Sequence, residues 1–288
     1  MFSQINRIDQ KDQMNHNPRA KLICVLGASG GAGVSTVAAN LAVSLQQMHS
    51  AQSVAVMDTT LTGGDLPLML GMAPGAGLRV IPSDPQRIDE ALLMNAQATH
   101  RSGVKLLHLG QSSPLRSLAE PAVLARTLEL MARWYDWIVV DCGCATENVT
   151  HAVIPHASTV LLVATLALPS AQRAKQWVEA LINSGVPSGK IVAVLNRCRE
   201  DEAAYQRQVK PLLPCRVGVY LPDSPELARE ALINGVTLAA VDSRAALAVC
   251  YAELALSLSD QPVGTSDRKA PGLFQSLHAR FMGTRHAA

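Results

Sequence analysis

Short apolar runs alternate with longer amphipathic stretches along most of the chain. The apolar runs predict strands at Lys21–Gly27, Ser53–Asp58, Val104–Leu109, Trp137–Asp141, Thr159–Thr165, Ile191–Asn196 and Val217–Leu221. The amphipathic stretches predict helices at Ser35–Gln47, Pro121–Trp134, Ser170–Ser184, Pro225–Asn234 and Ala245–Leu258. Strands that alternate with helices are joined by right-handed crossovers into a parallel sheet. The pattern therefore predicts a three-layer α/β fold, in which helices flank a mostly parallel central sheet.

The two ends of the chain lack this alternation. Residues 1–20 are polar and without periodicity, which predicts a loose N-terminal arm. The α/β pattern spans residues 21–258. The next segment, Ser259–Gly272, is rich in Pro, Gly, Ser and Thr and has little to bury, as is typical of a linker. The pattern thus predicts one α/β domain between an arm and a linker.

Residues 273–288 return to an apolar pattern and predict an amphipathic C-terminal tail. Four side chains fall on one helical face: Leu273, Phe274, Leu277 and Phe281. Basic residues stand nearby: Arg268, Lys269, Arg280 and Arg285. Two interpretations remain open. The tail either binds a membrane surface or a partner, or it docks on its own domain.

Composition narrows the class of protein. Only 3% of the residues are aromatic, so the core must be built from Ala, Leu, Val and Ile. The formal net charge of +2 is too small to indicate nucleic-acid binding by itself. No apolar stretch approaches the roughly 18 residues that span a bilayer, and the six cysteines contain no CxxC pair. We therefore expect a cytoplasmic protein with reduced thiols.

A glycine-rich loop follows the first predicted strand and opens the first predicted helix. It reads Gly-Ala-Ser-Gly-Gly-Ala-Gly-Val-Ser-Thr from Gly27 to Thr36. Glycines allow backbone N–H groups to converge on an anion, and the start of a helix adds a favourable dipole. The context therefore favours a phosphate-binding loop. The alternative is a tight turn between strand and helix that binds nothing.

This loop resembles the deviant Walker loop of the MinD/ParA ATPases, whose pattern is approximately KGGxGK[ST]T. Ser29 stands at the position of the signature lysine, which reaches the partner's nucleotide across a dimer, and Val34 stands at the position of the P-loop lysine. The resemblance implies a P-loop NTPase fold that binds ATP or ADP with Mg²⁺. The implied nucleotide-binding positions in the loop are Gly30, Gly31, Ala32, Gly33, Val34, Ser35 and Thr36.

The resemblance extends to the ends of later strands. It implies that Asp58 positions the attacking water, and that Ser35, Asp58 and Asp141 hold Mg²⁺. Gly64-Asp65 matches the family pattern DxDxxxGD, but Thr60 replaces its second acid, and Cys142-Gly-Cys144 replaces the usual proline after Asp141. The pair Asn196-Arg197 matches the family's adenine-recognising position, and Asp223 matches the loop on the other side of the base.

The two replaced lysines change the expected activity. Backbone N–H groups and the Ser35 hydroxyl can still hold a nucleotide, but the point charges that offset charge on a transferred phosphoryl group are missing. The resemblance, with both lysines replaced, therefore implies nucleotide binding with weak or absent hydrolysis. We leave open whether the protein is an enzyme.

Within the family, the chain from residue 20 to residue 258 is similar to the TadZ/CpaE proteins of Flp (Tad) pilus assembly, whose loop reads close to GxxGGxGxST. The similar stretches are Asp58–Gly71, Ser83–Leu93, Val160–Lys175 and Val194–Arg197. The resemblance implies a homodimeric localisation factor that recruits pilus or secretion proteins at the inner membrane or cell pole. The tail resembles the C-terminal membrane-targeting helix of MinD.

Other functions remain as alternatives. One is an active ParA/MinD-type ATPase switch, and another is a ParA-like DNA-partitioning protein. A third is a regulator of a different envelope apparatus, such as cellulose secretion. The low net charge makes nucleic acid the least favoured partner.

Overall fold

The computed structural model describes residues 20–59, 64–73, 82, 84–108, 121–144, 149 and 152–259. Its strands are β1 (Lys21–Gly27), β2 (Val54–Asp58), β3 (Ala98–Thr99), β4 (Lys105–His108), β5 (Trp137–Asp141), β6 (Thr159–Thr165), β7 (Ile191–Cys198) and β8 (Arg216–Pro222). Its helices are α1 (Val34–Met48), α2 (Leu66–Met69), α3 (Glu90–Ala96), α4 (Pro121–Trp134), α5 (Leu168–Asn183), α6 (Ala203–Val209), α7 (Pro225–Asn234), α8 (Leu238–Val241) and α9 (Ala246–Ser259).

The strands form one sheet with the order β3-β4-β2-β5-β1-β6-β7-β8. Every strand pair is parallel except β3–β4, which is antiparallel. Because parallel strands start at one edge and end at the other, the carboxyl ends of β2, β4, β5, β1, β6, β7 and β8 lie together. The predicted α/β fold with a mostly parallel central sheet is confirmed.

Alternating side chains of each strand bury two separate apolar layers. On β1, Cys24 and Leu26 belong to the layer beneath α4 and α5, whereas Ile23 and Val25 belong to the layer beneath α1 and α9. Both faces of the sheet are covered, so its central strands are apolar throughout rather than alternating with polar residues. Small residues such as Ala38 and Ala42 face this second layer from α1 and allow close packing on the sheet.

Several boundaries differ from the sequence prediction. Helix α5 starts at Leu168 rather than Ser170, because Pro169 is tolerated in a first helical turn, where its missing N–H has no helical partner. Strand β7 continues to Cys198, with irregular pairing to β8 between Leu195 and Cys198. The shortest elements, β3, α2, α3, α6 and α8, were not predicted, because they are too short to show a period.

The start of β1 and the end of α9 meet at the amino edge of the sheet. The Lys21 ammonium donates to the carbonyl oxygen of Ser259 at 3.0 Å and lies 4.7 Å from the ring centre of Trp137. The His49 Nε2 atom is 2.7 Å from the Ser259 hydroxyl. Ser259, the last described residue, is therefore held at the edge opposite the carboxyl ends of the strands.

Within the described part of the chain, no helix is long and apolar enough to span a bilayer. The predicted N-terminal arm, the residues of the linker beyond Ser259 and the amphipathic tail lie outside the described residues, as does Thr60. The expectations for those segments stay predictions.

Candidate functional site

The predicted site residues converge at the carboxyl edge of the sheet. The loop from Ala28 to Gly33 connects β1 to α1. Asp58, at the end of β2, is in register with Asp141 at the end of β5, and Asp141 is in register with Val25 of β1. The parallel topology thus places the glycine loop beside both acids.

Backbone hydrogen bonds attach the loop to the neighbouring strands. The N–H of Gly27 donates to the carbonyl oxygen of Gly143 at 2.8 Å, and the N–H of Ala28 donates to that of Val163 at 2.8 Å. Gly33 has a φ of 97° and caps α1 with left-handed backbone, which strongly favours glycine at this position. Gly30 and Gly31 are exposed and Ala32 is buried, so the loop offers an open backbone surface.

Val34 fills the position of the missing P-loop lysine with apolar volume. It is 7% exposed and belongs to the apolar layer beneath α1. A Cβ atom on Gly27 would come within 2.7 Å of Val34 Cγ2, so the two residues are in close contact. Ser29 is half-buried in the loop. Neither side chain supplies a positive charge to the site.

Asp58 and Asp141 are completely buried. Burial raises the pKa of Asp141 to about 6, and the nearby charges of Asp58 and Asp65 raise it as well. Hydrogen bonds from the Ser35 hydroxyl and the Gly143 N–H act in the opposite direction, and the N–H of Gly143 lies 2.9 Å from Asp141 Oδ1. A nearby cation would stabilise the ionised form of a carboxyl group in this environment.

The residues around Asp141 fit a bound Mg²⁺. Among the described residues, Asp141 Oδ2 is buried without a hydrogen-bond partner in bonding geometry. The described residues contain no cluster of three or more His, Cys, Asp or Glu side chains arranged as a metal site. Mg²⁺ needs no such cage, since it is usually held by one or two carboxylates, water and substrate phosphates. Ser35 and the two acids meet that requirement.

The structure adds His108, which the sequence analysis did not select. It ends β4 in register with Asp58, and its Nε2 atom lies 3.9 Å from Asp58 Oδ2. The N–H of Gly64 donates to the same nitrogen at 3.2 Å. Burial lowers the pKa of His108. A polar residue next to the end of the predicted strand Val104–Leu109 was the signal available in the sequence.

Asn196 reaches the loop from the end of β7. Its Nδ2 donates to the carbonyl oxygen of Ala32 at 2.8 Å, and its Oδ1 accepts from the N–H of Arg197 at 2.9 Å. Arg197 and Asp223 are exposed beside it, and the N–H of Asp223 donates to the carbonyl oxygen of Cys198 at 2.9 Å. The predicted contact of these three residues with a base stays a prediction.

Thr36 lies in the first turn of α1. Its hydroxyl donates to the sulfur of Met69 on α2 at 3.8 Å. Of the predicted residues, the structure therefore brings together the loop, Ser35, Thr36, Asp58, Asp141 and Asn196. The tail residues Leu273, Phe274, Leu277 and Phe281 lie outside the described residues.

Comparison with known proteins gives a family model and several relatives. The ParA model, described as NUBPL iron-transfer P-loop NTPase, matches residues 19–100. The ESX-1 secretion-associated protein EspI of Mycobacterium tuberculosis is 24% identical over 217 residues, which cover 71% of this chain and 32% of EspI. The chain thus spans about a third of that relative's length. The septum site-determining protein MinD of Thermotoga maritima is 22% identical over 213 residues, covering 72% of this chain and 76% of MinD.

A solved structure shares the fold. The MinD protein of Pyrococcus horikoshii, complexed with Mg-ADP, superposes with a TM-score of 0.69 at 20% identity, covering 84% of this chain and 96% of that protein. The fold is therefore the α/β fold of ParA/MinD-type P-loop NTPases. The chain is thus similar to ParA/MinD-type P-loop NTPases in its fold, in residues 19–100 by the family model, and over 72% of its length by the MinD relative.

Proposed function

We propose that this chain is a nucleotide-binding scaffold that binds ATP or ADP with Mg²⁺ and hydrolyses ATP weakly or not at all. Two observations together support the proposal. The loop, Ser35, Asp58 and Asp141 lie close together at the carboxyl edge of the sheet, and Val34 is buried at the position of the P-loop lysine.

Binding relies on backbone groups and on a cation. Exposed N–H groups of the loop and the N-terminus of α1 attract the phosphates. The Ser35 hydroxyl and the carboxylates of Asp141 and Asp58 would hold Mg²⁺, which would supply the positive charge that Ser29 and Val34 do not. Because Val34 replaces the P-loop lysine, nucleotide affinity should depend on Mg²⁺ more strictly than in a site that contains that lysine.

Hydrolysis lacks its electrostatic support. Charge that spreads over the transferred phosphoryl group needs preorganised positive groups, and removing one such group commonly costs about 10²–10³ in rate. Asp58 would still orient a water molecule. Because a carboxylate supplies no positive charge, it does not restore an efficient reaction by itself.

We further propose that the chain acts as a homodimeric localisation factor for a Flp/Tad-type pilus at the inner membrane. The resemblance to the TadZ/CpaE branch supports this role, and so does similarity to EspI, a secretion-associated protein. The tail would give peripheral membrane contact through Leu273, Phe274, Leu277 and Phe281. Since Ser259 lies at the amino edge, the tail would connect to the domain opposite its nucleotide site.

Calorimetric titration of the full-length protein with ATP and ADP, each with and without Mg²⁺, tests the proposal. We expect both nucleotides to bind with Mg²⁺, no measurable binding with EDTA, and no ATP turnover above the buffer rate. Asp141→Ala should abolish the Mg²⁺-dependent binding. Steady ATP hydrolysis that disappears in Asp58→Ala would instead show an active ATPase switch. Salt-sensitive binding to random DNA would favour the DNA-partitioning alternative.

A further inference from the structure

The side-chain amide of Asn196 is bonded at both of its ends. Nδ2 donates to the Ala32 carbonyl oxygen at 2.8 Å, and Oδ1 accepts the Arg197 N–H at 2.9 Å. The residue is only 8% exposed. One amide hydrogen and one lone-pair direction remain. Both ends of the amide are thus already engaged within the protein, one of them with the loop.

The backbone next to Asn196 favours its contact with the loop. Arg197 has a φ of 57°, the only positive φ at a non-glycine residue among those described. Its side chain is exposed, so packing of that side chain does not explain the left-handed backbone. Such a conformation persists only where surrounding contacts over-determine it. Here it allows the N–H of Arg197 to fix Asn196 Oδ1, which orients Nδ2 toward the loop.

The loop side of the contact is equally close. A Cβ atom on Gly33 would overlap Asn196 Nδ2, so the amide packs directly on the glycine that caps α1. The carbonyl of Ala32 and the N–H of Gly33 belong to one planar trans peptide and point in opposite directions. Holding the carbonyl against Asn196 therefore turns the Gly33 N–H to the side of the loop away from Asn196.

We propose that Asn196 is a positioning residue that holds the phosphate loop in its anion-binding conformation, and that it acts on the polyphosphate of a ligand rather than on its base. This inference rests on the proposed nucleotide binding. It assigns the site a ligand class, a nucleoside di- or triphosphate whose recognition through Asn196 is independent of the base.

Two variants separate this role from base recognition. Asn196→Ala removes both bonds, and the nearly isosteric Asn196→Asp keeps an acceptor for the Arg197 N–H but cannot donate to Ala32. Asn183→Ala is the matched control, since Asn183 is an exposed asparagine at the end of α5. Calorimetry with Mg-ATP, Mg-GTP and Mg-tripolyphosphate measures binding of each ligand to each full-length variant.

Within each Asn196 variant we expect the affinity for all three ligands to fall by a common factor, about tenfold for loss of the bond to Ala32. Asn183→Ala should change none of the three affinities. If Asn196 recognises adenine, its variants will weaken ATP alone and leave tripolyphosphate unchanged. That result would overturn the proposal.

Hydrogen exchange of the ligand-free proteins provides a readout that does not depend on nucleotide binding. We expect faster exchange at Ala32–Val34 in both Asn196 variants than in the wild type and in Asn183→Ala. Should the wild type bind none of the three ligands, the proposed function fails while the exchange experiment still tests the loop contact. Unchanged exchange in Asn196→Asp would show that Asn196 does not hold the loop.

Discussion

At the scale of single residues, Val34 leaves the proposed phosphate site without a positive charge at the P-loop lysine position. Its side chain is buried against Gly27 and contributes apolar contact instead of an ammonium group. The nearby acids Asp58, Asp65 and Asp141 then have no lysine from the loop to offset them. In the proposed site, the balancing charge would come from the cation that accompanies the nucleotide.

Val34→Lys should restore part of that balance. We expect the affinity for Mg-ATP to rise roughly tenfold to hundredfold, because a charge-assisted hydrogen bond contributes about 1.5–3 kcal/mol. ATP should also bind measurably in EDTA. Without ligand, the free energy of unfolding should fall by about 1–3 kcal/mol, because the longer, charged side chain enters a packed apolar layer.

Calorimetry and urea unfolding measure both effects of Val34→Lys. Val34→Met is the control, because it adds a long side chain at the same position without a charge. Equal gains in the two variants would mean that the ammonium group does not explain the effect.

Asp141 should make the ligand-free protein less stable as the pH rises. Its pKa is about 6 in the folded protein and 3.8 when unperturbed, so folding favours the protonated form. The stabilisation is complete below pH 4 and is lost as the pH rises through about 6. The total is at most about 3 kcal/mol, since one pKa unit corresponds to about 1.4 kcal/mol.

Urea unfolding between pH 4 and pH 7.5, in EDTA, measures this dependence. Asn cannot ionise, so the difference between wild type and Asp141→Asn isolates the carboxyl group from other titrating residues. We expect the wild type to lose stability relative to the variant across this range. A constant difference would show that Asp141 has an ordinary pKa.

At the scale of elements, β4 supports the segment that follows β2. His108 ends β4, accepts the N–H of Gly64 and lies beside Asp58. Gly64 directly precedes Asp65 and the short helix α2, so this hydrogen bond joins the end of β4 to the Gly64-Asp65 pair. A buried imidazole with a lowered pKa is neutral, and its Nε2 is therefore available as an acceptor.

His108→Leu should loosen this segment without unfolding the domain. Gly64 would lose its acceptor, and we expect hydrogen exchange at Gly64–Met69 to accelerate by about fivefold for a bond of about 1 kcal/mol. His108→Gln should recover part of the protection, because its carbonyl oxygen can accept. His156→Gln, at an exposed histidine, serves as the control. Equal protection in wild type and His108→Leu would contradict the role of His108.

The sequence predicted β1, β5, β6, α4 and α7 with the bounds that the structure has. Long apolar or amphipathic runs are the strongest local signal, and the family resemblance then implied that Asp58 and Asp141 share one site. The contact of Asn196 with Ala32 was not predictable, because it joins residues far apart in sequence through a left-handed Arg197. His108 was missed because one polar residue at a strand end is usually a boundary residue.

At the scale of the whole molecule, the nucleotide site and the end of α9 occupy opposite edges of the sheet. Lys21, His49 and Trp137 surround Ser259 at the amino edge, while the loop and the acids lie at the carboxyl edge. A membrane contact through the tail would therefore leave the nucleotide site accessible to a second copy of the chain. Two tails in one dimer would bind a vesicle far more tightly than one.

The full chain should therefore sediment with anionic vesicles, and a chain ending at residue 270 should not. A few apolar side chains with nearby positive charge give weak binding that strengthens on anionic lipid. Replacing Phe274 and Phe281 by Ser in the full chain should abolish sedimentation, since both side chains fall on the predicted apolar face. Replacing Gln275 and Ser276 by Ala, on the other face, should preserve it. Equal sedimentation of the full and shortened chains would exclude the tail as the membrane contact and favour its docking on the domain.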